Sequence, residues 1–80
     1  MDLVLIRGNK IVVGIEIKYS NSPKLSRGTH EVFTDLDIPE VLVLTPSSDE
    51  YKMYDKITVV PLDRLRFHLK RLKLLSIHQE

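Results

Sequence analysis

The chain has 80 residues, 42% of them apolar and 29% charged, with a formal net charge of +1 and no cysteine; this is the composition of one globular domain with a thin core. Lack of cysteine excludes disulfides, thiolate metal sites and a cysteine nucleophile, and fits a reducing compartment. No apolar run approaches the ~18–20 residues needed to cross a bilayer, no signal peptide precedes the first strand, and the net charge gives no global field for nucleic acid, so the expectation is a cytoplasmic protein with no membrane role.

Leu3 to Ile6 is a short apolar run, interrupted by Arg7-Gly8-Asn9-Lys10 and resumed from Ile11 to Lys18. Two β-rich runs around a Gly-Asn turn predict a β-hairpin. In the second run Ile11, Val13, Ile15 and Ile17 share one face, β-branched throughout and expected to face the core. Val12, Gly14, Glu16 and Lys18 share the other. Asp2, Val4 and Ile6 lie on one face of the first strand. For Asp2 to stand beside Glu16, residue 2 must pair with 16, 4 with 14 and 6 with 12. A strict two-residue turn gives a different parity and sends Asp2 to the opposite face. An odd-length turn or a bulge within Arg7 to Lys10 is therefore expected.

Tyr19 to Lys24 is a polar loop. From Leu25 the apolar residues recur at Val32, Phe33 and Leu36, a helical spacing, with Asn21 or Ser22 as the cap and Pro23 in the first turn. Pro39 ends the segment. Val41 to Thr45 is a continuous apolar strand of the kind buried on both faces of a parallel sheet, and strand, helix, strand makes a right-handed βαβ unit. Pro46 to Lys56 reads as a loop, Ile57 to Val60 as a short strand. A last helix is expected from about Leu62 to Leu75, with Leu62, Leu65, Leu69 and Leu72 on one stripe. The expected order is β-β-α-β-β-α.

Chemistry concentrates at Glu16 and Lys18. Placing a carboxylate and an ammonium on a strongly apolar strand is costly unless they pair or bind something. Glu-x-Lys alone also suits the wet face of an antiparallel sheet; Asp2 on the neighbouring strand adds a second carboxylate.

Asp2, a gap of thirteen residues, then Glu16-Ile17-Lys18 resembles the PD-(D/E)XK nuclease signature. More closely, the words DLVLIRGNKIVVGIEIKYS, NSPKLSRG, VLVLTP and ITVVPLDRL resemble the nuclease-like C-terminal domain of a prokaryotic AAA-type ATPase family, over about four-fifths of the chain. The resemblance implies a restriction-endonuclease-like α/β core, with residues 1–80 as one nuclease-like domain that lacks the usual first helix and first strand. It implies Mg²⁺ (or Mn²⁺) held by Asp2, Glu16 and the backbone carbonyl of Ile17. Lys18 would orient the attacking water or stabilise developing charge on the phosphate, and DNA would be the substrate. Such a metal prefers hard oxygen ligands, and lowers the pKa of a bound water.

The missing elements leave Asp2 at a terminus and the first strand as an open edge. A symmetric dimer through that edge is one expectation, and docking onto an AAA-type ATPase or DNA as a non-catalytic interaction module is the alternative function. Lys24 and Arg27, near the start of the first expected helix, are candidate contacts to a nucleic-acid backbone; a solvated loop is the commoner role for such residues. Arg64, Arg66, Lys70, Arg71 and Lys73 suit a backbone-binding stripe or an ordinary wet helix surface. His68 reads as a helix flank, and Tyr51 and Tyr54 as loop residues.

Overall fold

A computed structural model describes residues 1–20 and 22–74. Five strands form one sheet in the order β1-β2-β3-β5-β4. They are β1 (Leu3–Arg7), β2 (Lys10–Ile17), β3 (Val41–Thr45), β4 (Tyr51–Tyr54) and β5 (Ile57–Pro61). Helix α1 (Arg27–Asp35) follows β2, and a 3-10 turn (Leu62–Arg64) leads into α2 (Leu65–Arg71). The fold is mixed α/β: β2, β3 and β5 run parallel, while β1 and β4 run antiparallel at the two edges.

One helix covers each face. Val32 and Phe33 of α1 pack with Ile38, Val41, Val43, Ile57 and Val59. On the other side Leu65 of α2 and Leu72 at its C-cap pack with Val13, Ile15, Leu42, Leu44 and Val60. β3 lies between the two layers with all five residues buried. A strand apolar on both faces can sit only there, because either face would otherwise meet water. The expected parallel pairing of the strands flanking α1 is present, from Gly14↔Val41 to Ile17↔Leu44.

The hairpin departs from expectation in an instructive way. Arg7 pairs with Lys10, so the turn has only two residues, and Gly8 takes φ +64°. Positive φ at the first central position is the II′ pattern, which glycine adopts without a Cβ penalty. The register then shifts between Leu5 and Ile6, where Val13 and Ile11 are the successive partners. Val12 is thus the extra residue of a bulge inside β2, beyond the Arg7–Lys10 window in which one was expected. Ile6 pairs with Ile11 instead of Val12, and the two residues exchange faces: Ile11 packs on the α1 side and Val12 on the α2 side. From Val13 onward the expected parity holds, with Val4 opposite Gly14.

Gly14 is small for a reason. A Cβ there would come within 3.0 Å of the Met1 sulfur and 3.4 Å of the Ile38 side chain, so the missing atom leaves room for both.

Other boundaries move too. Ser26, not Asn21 or Ser22, caps α1: its Oγ accepts from Thr29 N–H at 3.1 Å. Asn21 lies outside the described residues, and Pro23 precedes the helix. The segment expected as a loop from Pro46 to Lys56 holds β4, joined to β5 through Asp55-Lys56. The last helix begins only at Leu65, because Leu62 to Arg64 form a 3-10 turn in which Leu62 stays exposed. Leu75 lies outside the described residues. The element order is therefore β-β-α-β-β-β-α. No helix is long and apolar enough to cross a membrane among the described residues.

Both helices end in the same way. Asp37 (φ 52°) and Lys73 (φ 60°) take the left-handed conformation after the C-caps Leu36 and Leu72. Ile38 N–H then donates to Phe33, and Leu74 N–H to Leu69. These are Schellman closures in which an L-residue occupies the position that glycine fills without strain. Lys73→Gly is expected to stabilise the fold by about 1 kcal/mol. In urea unfolding this would appear as a higher midpoint with an unchanged slope.

Candidate functional site

Glu16 and Lys18 stand on the α1 face at the carboxyl end of β2, two residues apart on one strand. Glu16 pairs with Val43 of β3 and is only 7% exposed. Lys18 N–H extends the ladder by donating to the Leu44 carbonyl at 2.9 Å. Its Nζ lies 3.5 Å from Glu16 Oε2. Glu16 Oε1 is ion-paired with the Met1 ammonium 3.2 Å away and has no hydrogen bond among the described residues.

Asp2 straddles Glu16. Its N–H donates to the Ile15 carbonyl at 3.1 Å, and its Oδ2 accepts from Ile17 N–H at 2.7 Å. Gly14 and Lys18 direct their N–H groups to the β3 side; Ile17, one residue out of phase, directs its own toward β1, and its carbonyl points the same way. If β1 continued in register, the carbonyl of residue 1 would receive the Ile17 N–H. The Asp2 carboxylate takes that place. It therefore lies at the margin of the sheet beside the Ile17 carbonyl, while Glu16 and Lys18 stand on the face. The structure ties Asp2, Glu16, Ile17 and Lys18 to one end of β2, with Asp2 exposed and Glu16 buried.

Two carboxylates and a carbonyl are hard oxygen donors of the kind Mg²⁺ and Mn²⁺ prefer, and Mg²⁺ commonly takes only one or two carboxylates from a protein. Glu16 Oε1 already faces the Met1 ammonium, so an ion held there would have to displace it. No group of three or more His, Cys, Asp or Glu is placed to hold a metal among the described residues.

Lys24 and Arg27 take no part in this cluster. Lys24 is exposed in the loop before α1. Arg27 opens α1 with its side chain 93% exposed and pairs with Glu31 at 3.3 Å.

A second polar cluster was not read from the sequence. His68, expected on a helix flank, is buried. Arg71 Nε donates to its Nδ1 at 2.9 Å, so Nε2 carries the hydrogen that reaches Glu50 Oε1 at 3.1 Å. Arg71 also pairs with both oxygens of Glu40, and Arg64 with Glu50. Glu40, Glu50, His68 and Arg71 border an open cavity of about 550 Å³ that also touches Lys52, Lys56 and Thr58. Each charge in the chain Glu40–Arg71–His68–Glu50–Arg64 has its partner inside the protein, so the cluster is a brace between α2, β4 and the start of β3. It consumes two of the five basic residues of the C-terminal stretch. The one hint in sequence is His68-x-x-Arg71, an i, i+3 pair on one helical face; its acidic partners are remote in the chain. Tyr51 and Tyr54 belong to β4 rather than to a loop, and Tyr54 meets the His30 ring edge-on at 5.3 Å.

The hydrogen bond from His68, helped by Arg64 and opposed by burial, holds the Glu50 carboxyl below the ordinary glutamate value. A group with a lowered folded-state pKa contributes stability above its unfolded pKa, which is lost as pH falls through the folded value. Acid unfolding should therefore shed this contribution below the ordinary glutamate range. Glu50→Gln is expected to lower stability at neutral pH and to flatten the acid limb, as read by thermal melts from pH 7 to 3. No protein-family model, no curated protein and no solved structure matches the chain.

Proposed function

We propose that this chain is a nuclease-like domain that uses a divalent cation, Mg²⁺ or Mn²⁺, to hydrolyse phosphodiester bonds in DNA. The observation that carries the reading is Glu16, buried at the carboxyl end of β2 with an ammonium group facing each oxygen, Met1 at 3.2 Å and Lys18 at 3.5 Å. A Glu and Lys that served only a wet strand face would both lie in solvent. Glu16 is instead taken out of water, its charge balanced by the Met1 and Lys18 ammonium groups; a divalent cation would take the place of the Met1 ammonium at Oε1.

Each residue then has a task. Glu16 and Asp2 supply oxygens for the ion, and the Ile17 carbonyl faces the same margin. A bound cation of this kind makes water more acidic and polarises a phosphate. Lys18 keeps a positive charge beside the attacked phosphorus, where negative charge develops on the phosphoryl oxygens as water adds and the leaving oxygen departs. The mixed sheet supports the placement: in open α/β sheets the carboxyl ends of parallel strands are where ligands are bound, and the cluster sits at that end of β2. The sequence resemblance supports the same roles for the same residues.

A specific observation favours a second reading, a non-catalytic interaction module. β1 is an open edge, and Leu3 (50% exposed) and Ile6 (59% exposed) offer apolar side chains along it. By ladder geometry the backbone groups of Val4 and Ile6 face away from β2, ready to pair with another strand. A second copy meeting this edge about a two-fold axis would extend the sheet. Light scattering at working concentration decides the dimer: a monomer removes it.

Calorimetric titration with Mn²⁺ and a plasmid-cleavage assay test the catalytic reading. Lys18→Ala is expected to retain metal binding while cleavage drops by about 10²-fold or more. Glu16→Ala should lose both. An absence of heat from the native chain at millimolar metal would end the catalytic reading.

A further inference from the structure

The two edges of the sheet are not alike. β4 carries Lys52 and an extra residue, Met53, between Lys52 and Tyr54, which pair with Thr58 and Ile57. A charge and a bulge are among the means by which an edge strand is kept from pairing with another chain. From Leu3 to Ile6 β1 has neither, because the bulge of the hairpin lies in β2. Leu3 and Ile6 are exposed on opposite faces, Leu3 across from Ile15 on the α2 side and Ile6 across from Ile11 on the α1 side.

We propose that β1 pairs antiparallel with β1 of a second copy in one register, Val4 opposite Ile6 of the second copy, about a two-fold axis through Leu5. This rests on the interaction-module reading and specifies the contact. The backbone fixes the register. Leu3 and Leu5, opposite Ile15 and Val13, use their backbone groups inside the hairpin, so Val4 and Ile6 direct theirs outward. A partner strand must match outward groups with outward groups, which leaves three registers. Val4 opposite Val4 sets Asp2 against Ile6, yet the Asp2 N–H is already donated to the Ile15 carbonyl. Ile6 opposite Ile6 sets Val4 against Gly8, which belongs to the turn at φ +64°. Val4 opposite Ile6 gives every outward group of both residues a partner on both strands.

Side chains agree with this register. Leu5 meets its own copy across the axis with Leu3 diagonal to it, and Val4 and Ile6 alternate on the other face. Both side chains that one copy leaves in water are thereby covered. The ends agree in charge as well: an antiparallel partner brings the Asp2 end of each strand to the Arg7 end of the other, whereas a parallel one sets like beside like.

A chain without cysteine makes the register readable with one introduced thiol. Leu5 and its symmetry mate form a non-hydrogen-bonded pair with Cα atoms about 4.5 Å apart, within disulfide reach. Leu5→Cys treated with diamide is expected to run as a cross-linked dimer. Leu3→Cys, four residues out of register with its own mate, or about 14 Å along the strand, should stay single. Ile6→Lys should raise the dimer dissociation constant by about tenfold or more, because the new charge is covered twice in each dimer. A wild type that light scattering shows to be monomeric at working concentration overturns the interaction reading and this inference together. If the wild type is dimeric, a Leu5→Cys protein that melts like wild type and does not cross-link overturns the register and leaves the dimer standing. Cross-linking of Leu3→Cys as strong as that of Leu5→Cys overturns the register too. Where Leu5→Cys melts below wild type, Ile6→Lys decides, and an unchanged dissociation constant overturns the use of β1.

Discussion

β2 carries one residue more than β1 across the hairpin, and the placement of every polar group at its far end follows from that surplus. Side chains on a strand alternate strictly, so a single inserted residue reverses the faces on one side of it relative to the other. Val12 absorbs the reversal near the turn. Beyond it Val13 and Ile15 feed the α2 layer, while Gly14, Glu16 and Lys18 line the α1 layer. Gly14 then admits Met1 and Ile38 over the sheet, and Glu16 falls under cover instead of reaching solvent.

The two-layer enclosure of β3 turns that placement into chemistry. With α1 on one face and α2 on the other, the middle of the sheet is dry on both sides. A carboxylate on the strand next to β3 must therefore be neutralised locally. Lys18 does so on one oxygen, at short range and with modest exposure of its own side chain. The Met1 ammonium faces the other oxygen at 3.2 Å, while the Thr45 hydroxyl is a polar atom with no partner among the described residues.

Much of this was legible in sequence because it depended on nearest neighbours. The apolar run Val41 to Thr45 announced a doubly buried strand, the Gly-Asn pair a hairpin, and Leu65 and Leu72 a helix face. Glu16 and Lys18 fall at one end of β2 as their spacing implied, but Asp2, expected beside Glu16 on the same face, takes the margin of the sheet by accepting from Ile17 N–H. What escaped was decided by contacts distant in the chain. Nothing near Val12 marks it as the extra residue; its role follows from which side chains the two helices can bury. Ser26 outcompetes Ser22 as a cap because the helix starts only where Thr29 can reach back to it. β4 has a polar, tyrosine-rich sequence that becomes a strand by pairing with β5. The burial of His68 depends on Glu50, eighteen residues upstream.

The guanidinium of Arg7, at the last residue of β1, hydrogen-bonds to the carbonyl of Leu72 at the C-cap of α2. A seven-residue helix has too few internal bonds to persist by itself, and its final carbonyls need donors from outside. Here the tip of the opening hairpin supplies one, from the other extreme of the described chain. The helix end and the hairpin tip therefore open and close as one unit: fraying of either exposes the other's unpaired group, and amide hydrogens in both should exchange with solvent at a common rate.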